Sequence, residues 1–218
     1  MDKRLLVFDL DGTLVDSSRD LATATNATIQ RVAPDSPKIP HETLRSFVGD
    51  GARVLMERSI RHTRLDRGVD EVLPVFLECY AECLLETTDL YPGIQAALDA
   101  FDEDDPVLAV LTNKPGAFSR TILDGLGVAS RFSLVWGPDD APARKPDPSG
   151  LLGLVADLGS GPDDTWMIGD SPVDVKTARA AGVRVAGVTW GLNPEGLRRE
   201  GPDRLIDDPR DLVSLATE

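Results

Sequence analysis

Soft metal ligands and disulfide partners are nearly missing from this chain of 218 residues, which has two cysteines and two histidines. The cysteines, Cys79 and Cys83, stand four apart in FLECYAECLL, and the nearer histidine is His62. That set is too small for a structural zinc site. It reads as small packing residues on one helix face in a reducing compartment. Long apolar runs are missing too. The opening MDKRLLVFDLDGT is broken by Asp9 and Asp11, so it is no secretory signal. No stretch approaches the ~20 apolar residues that cross a bilayer, and the expected location is the cytoplasm. Positive charge is also in deficit, with 23 basic against 37 acidic residues and a net charge of −14. Such a surface repels nucleic-acid backbones and anionic lipid, so neither is an expected partner. An anionic small molecule would need local cations or a metal to overcome that field. No feature of the sequence specifies an oligomeric state.

What is present is a change of pattern along the chain. Leu5–Leu10 is a short apolar run broken only at Asp9, and it reads as a buried strand ending at a DGT turn. Helical spacing follows from about 17 to 32, then at 41–48, 51–62 and 69–87, with no convincing strand among these segments. Beyond YPGIQAALDAF, a helix with Pro92 at its start, strands and helices alternate. PVLAVLTN, FSLVWG, TWMIGDS, VRVAGVTWG and DRLIDDP are the strands. Alternation predicts an α/β fold, a doubly wound, Rossmann-like parallel sheet covered on both faces. The helical block interrupts it after the first strand. Residues 1–15 and 91–218 are therefore expected to form the core, and residues 16–90 a small α-helical domain inserted after strand 1.

Open parallel sheets bind ligands beyond the carboxyl ends of their strands, and four polar clusters fall there. Asp9 and Asp11 follow the first strand; Thr112 and Asn113 follow VLAVL. Lys145 lies in the loop after SLVWG, and Asp170 follows TWMIG with Asp174 a turn further on. Singly, each has a plain explanation: a DG turn, a helix cap, an exposed lysine. Jointly they bring carboxylates, a hydroxyl and an ammonium to one rim. A carboxylate at the end of a buried strand is also costly without a partner such as a metal.

FDLDGTLVDS, LTNK, ARKPDP and IGDSPVD, in that order, resemble the four motifs of the haloacid dehalogenase-like hydrolase superfamily, and the resemblance runs over essentially the whole chain. It implies a phosphatase. Asp9 would be the nucleophile that becomes an aspartyl-phosphate. Asp11 would protonate the leaving group and then activate water. Mg²⁺ would be held by the carboxylates of Asp9 and Asp170 and the backbone carbonyl of Asp11. Thr112 and Lys145 would clamp the phosphate, with Asn113 beside them, and Asp174 would orient Lys145 or a metal-bound water. Dehalogenase members lack an acid two residues after the nucleophile, so Asp11 points to phosphate chemistry.

The inserted helices resemble the family's small cap. SFVGDGARVLMERSI, TNKPGAF, GPDDAPARKPDP and TWGLNPEG resemble stretches of bacterial phosphoglycolate phosphatases. That likeness implies a small phosphate ester, 2-phosphoglycolate, as the substrate. It makes Gly49 and Arg53 candidates for binding it, with Arg53 a bidentate donor to its carboxylate. Equally, Gly49 and Gly51 could only start a helix and Arg53 be a solvated surface residue. The same chemistry on pyrophosphate, a nucleotide or a sugar phosphate remains a rival reading. So do a phosphosugar mutase and a non-catalytic phosphate sensor.

Overall fold

The structure is a computed structural model and describes residues 4–101 and 106–217. Strand β1 (Leu5–Phe8) leads into a two-residue strand β2 (Val15–Asp16). Four helices follow: α1 (Ser18–Val32), α2 (His41–Arg45), α3 (Ala52–Thr63) and α4 (Val69–Cys83). The chain returns through β3 (Asp89–Leu90) and then alternates. The order is α5 (Ile94–Ala100), β4 (Val107–Leu111), α6 (Gly116–Gly125), β5 (Leu134–Trp136) and α7 (Ser149–Asp157). It ends with β6 (Thr165–Gly169), α8 (Pro172–Ala181), β7 (Arg184–Val188), α9 (Pro194–Glu200), β8 (Arg204–Ile206) and a 3₁₀ helix over Pro209–Thr217.

Six strands form one sheet in the order β5-β4-β1-β6-β7-β8, and every pairing is parallel. Strand β1 lies in the middle, with Leu5 level with Val107 on one side and Thr165 on the other. All four of its residues are buried. Leu6 and Phe8 join the apolar cluster on one face; Leu5 and Val7 join that on the other. Both faces of the sheet are thus dry, which is why its strands read as continuous apolar runs. The connections leave β1 toward β4 and β5, then cross back to β6, β7 and β8. The topological switch, where such sheets open a crevice, therefore falls at the carboxyl end of β1.

Residues 15–16 and 89–90 form an antiparallel ribbon, Val15 opposite Leu90 and Asp16 opposite Asp89. Two-residue strands are too short for periodicity to reveal. Helix α5 begins at Ile94, with Gly93 left-handed before it, so Pro92 precedes the helix instead of opening it. The closing helix is 3₁₀. Cys79 and Cys83 are free, buried packing residues on α4. No helix among the described residues is long and apolar enough to cross a membrane.

The four inserted helices share the apolar cluster of one sheet face. Leu21, Leu55, Phe76 and Tyr80 belong to the same buried set as Phe8 and Val110. Asp20, near the start of α1, ties the outgoing and returning connections together. Its carboxylate accepts from the backbone N–H and hydroxyl of both Thr87 and Thr88, at 2.5–3.0 Å.

Candidate active site

The carboxyl end of β1 delivers Asp9, which is buried and accepts the Leu10 N–H at 2.7 Å on Oδ1. Lys145 Nζ, equally buried, lies 2.9 Å from the same oxygen and 2.6 Å from Asp174 Oδ1. These donors leave Asp9 Oδ2 as the oxygen they do not engage. Asp174 is fixed in turn by the start of α8. Its Oδ2 accepts the N–H and hydroxyl of Ser171, at 3.1 and 2.7 Å, while the Ser171 side chain caps the helix. One side chain thus serves as helix cap and as lysine anchor.

Asp170, at the end of β6, accepts the Leu192 N–H at 2.6 Å. Its carboxylate is seated between two backbone segments that have no side chain to offer. A Cβ added to Gly12, whose φ is +86°, would lie 2.3 Å from Asp170 Oδ2. One added to Gly191 would lie 2.3 Å from Asp170 Cβ. Thr112 and Asn113 leave β4 beside this group. Asn113 Nδ2 bridges to the Lys145 carbonyl at 3.1 Å and to the Gly49 carbonyl at 3.4 Å, joining the sheet rim to the loop before α3. Asp9, Asp11, Thr112, Asn113 and Gly49 all line a cavity of about 490 Å³, counting space open to solvent, between the rim and the inserted helices.

Residues 6–188 match the family model of the haloacid dehalogenase-like hydrolases. The chain belongs to that family. It is 37% identical over 221 residues to phosphoglycolate phosphatase 1 of Pseudomonas aeruginosa, covering 99% of this chain and 80% of that protein. It is 36% identical to a phosphoglycolate phosphatase of Colwellia psychrerythraea, covering 97% and 96%. Among solved structures, a predicted phosphoglycolate phosphatase of Haemophilus somnus superposes with a TM-score of 0.91 at 30% identity, over 100% and 99% of the two chains.

The hydrolase rim fits a divalent cation. Carboxylate oxygens of Asp9, Asp170 and Asp174 lie within 4.8 Å of one another, and all three residues are buried. Like charges at that separation repel by about 3 kcal/mol per pair at an effective dielectric of ~20. Lys145 is paired directly with Asp9 and Asp174, whereas at Asp170 its charge only partly opposes the effects of burial and of the two neighbouring carboxylates. Burial, with the charge of Asp174 added, pushes Asp9 up to about 6, although Lys145 opposes the rise. Burial also drives Asp170 well above the carboxylate range, reinforced by Asp174 and Asp9. Hard oxygen ligands whose charge is only partly compensated are what a small divalent cation selects.

Arg53 takes the solvated of its two expected placements, and Lys114 joins the cavity. Arg53 is not brought to the cavity: its guanidinium is ion-paired with Asp70 on the surface of α4 and is about two-fifths exposed. Lys114, the last residue of LTNK, is brought to it. Its Nζ lies 2.9 and 3.0 Å from the two oxygens of Asp11 and 4.6 Å from the ring centre of Tyr80 on α4. Burial opposes the Lys114 charge, but Asp11 and Tyr80 together outweigh it and raise the ammonium above its ordinary range. The Ser17 hydroxyl donates to Asp11 as well. Buried lysines are rare and need a partner, but that partner, Asp11, is 103 residues away. No local signal could have marked it.

Proposed function

We propose that the protein is a Mg²⁺-dependent phosphatase of 2-phosphoglycolate that works through an aspartyl-phosphate on Asp9. The observation that carries the reading is the triple placement of Asp9. It stands at the switch point of the sheet, with Lys145 on one oxygen and the carboxylate of Asp170 in reach of a shared cation.

Asp9, Asp170 and the backbone carbonyl of Asp11 would hold Mg²⁺. When bound, the ion neutralises phosphate charge and lets an anionic nucleophile approach an anionic ester. In the first step a carboxylate oxygen of Asp9 forms a bond to phosphorus while the ester P–O bond breaks. Asp11 gives its proton to the departing alkoxide. In the second step Asp11 takes a proton from water, which attacks the phosphorus, frees inorganic phosphate and restores Asp9. Lys145 and the Thr112 hydroxyl hold the phosphate oxygens through both steps. Asp174 keeps Lys145 aimed, and Asn113 keeps the loop of Lys145 against the loop of Gly49. The helices of residues 16–90 act as a cap that excludes water from the reacting centre. The buried, unpaired thiols suit a cytoplasmic setting.

The substrate name rests on relatives that carry it at 36–37% identity over nearly the full chain. A kinetic screen of small phosphate monoesters with Mg²⁺ tests it. The expected result is the highest kcat/KM for 2-phosphoglycolate. A clear preference for pyrophosphate, a nucleotide or a sugar phosphate would replace the substrate and leave the chemistry standing.

A further inference from the structure

A small ester carrying a second anion poses a problem that this cavity solves in a particular place. Its walls are mostly apolar, with Leu21, Leu55, Phe76 and Phe118 among them. A carboxylate desolvated against such walls is costly unless a cation meets it. Arg53 does not line the cavity, and its guanidinium is committed to Asp70. Among the described lining residues, Lys114 is the one cationic side chain. Lys145 is not part of this lining and is locked between Asp9 and Asp174.

The position of Lys114 also matches the shape of the substrate. Resting on the proposed phosphoglycolate reading, Asp11 is the group beside the ester oxygen. In 2-phosphoglycolate the carboxyl carbon is separated from that oxygen by a single methylene. A cation bonded to Asp11 therefore lies next to the place where the carboxylate must go. An ammonium has three donors; Asp11 takes two, and the Tyr80 ring lies against Nζ. A cation–π contact is weak beside an ion pair in a dry site, so the substrate carboxylate can displace it.

We propose that Lys114 is the specificity residue that receives the substrate carboxylate, and that Arg53 plays no part in reading it. Tyr80, packed between Phe76 and Phe118, faces the Lys114 ammonium from the cap side.

The test is a ratio. kcat/KM is measured for 2-phosphoglycolate and for ethylene glycol monophosphate, which replaces the carboxylate by a hydroxymethyl group, with wild type, Lys114→Met, Lys114→Gln and Arg53→Ala. Losses that come through Asp11 are shared by both esters and cancel in the ratio. The wild-type preference for the carboxylated ester should collapse by about 30-fold or more in both Lys114 variants, as for other truncated buried charge pairs, and persist in Arg53→Ala. A preserved ratio in the Lys114 variants, or a collapse in Arg53→Ala, overturns the assignment. The wild type alone also tests it: no preference between the two esters would refute a carboxylate-reading cation whether or not the variants fold. If O-phospholactate is favoured over 2-phosphoglycolate while its preference still depends on Lys114, the substrate name falls and Lys114 stands. If 2-phosphoglycolate is favoured but the ratio ignores Lys114, the reverse holds.

Discussion

Replacing Asp20 by alanine removes the acceptor for four donors at the point where the inserted helices leave and rejoin the core. The donors are not equivalent. Thr87 is exposed, and its N–H and hydroxyl turn to water at little cost. Thr88 is buried, so its N–H and hydroxyl are left without partners. Two buried unsatisfied donors cost about 2–6 kcal/mol together. Loss of an acid from the first turn of α1 adds roughly 0.3–1 kcal/mol. The sum, roughly 2–7 kcal/mol, is a large share of the ~5–15 kcal/mol that holds a typical domain together. Urea unfolding at neutral pH should show that loss with the m-value little changed. The pH dependence has a fixed sign. Burial alone would raise the Asp20 pKa, but the bonds from Thr87 and Thr88 outweigh it and lower it. The stabilisation is therefore complete above the unfolded pKa of about 3.9 and is lost as pH falls through the lower folded value. The gap between wild type and Asp20→Ala should shrink below about pH 4. A loss under ~1 kcal/mol at neutral pH, set against the estimate above, or a gap that widens on acidification, would refute the role given to Asp20.

Gly12→Ala places a Cβ where Asp170 Oδ2 now lies and holds alanine at φ +86°. Titration calorimetry should show Mg²⁺ affinity down at least ~10-fold, as when other supports of metal ligands are lost; unchanged affinity would contradict the seat described for Asp170. Asp174→Asn keeps an oxygen for the Ser171 cap but removes the charge that anchors Lys145. It should lower kcat by ~10–100-fold while thermal stability shifts little, and a variant as active as wild type would free Lys145 from that dependence.

The sheet and much of its rim were legible in the sequence because Asp9, Thr112 and Asp170 stand directly after apolar strands. Asp9, Thr112 and Asp170 close β1, β4 and β6 within one residue or so of the strand end, and a parallel sheet sends all such ends to one side. Residues whose meaning depends on a distant partner were not legible. Lys114 in a Thr-Asn-Lys-Pro turn looks like a solvated cation until Asp11 and Tyr80 close over it. Asp20 looks like an ordinary first-turn acid until Thr88 arrives 68 positions later. Arg53 follows Gly51 so closely that it reads as part of the binding loop, yet the direction of its side chain is set by Asp70 on another helix. Strand ends can be read from local hydrophobicity, whereas side-chain pairing across the inserted helices cannot.

The account turns on a covalent bond to Asp9. The most direct test mixes the enzyme with 2-phosphoglycolate and Mg²⁺, quenches within the first turnovers and reduces with borohydride, which converts an aspartyl-phosphate to homoserine. Peptide mass analysis should find homoserine at position 9, absent without substrate and absent in Asp9→Asn, which should also lose turnover. Homoserine at another aspartate, or sustained hydrolysis by Asp9→Asn, would contradict the central claim.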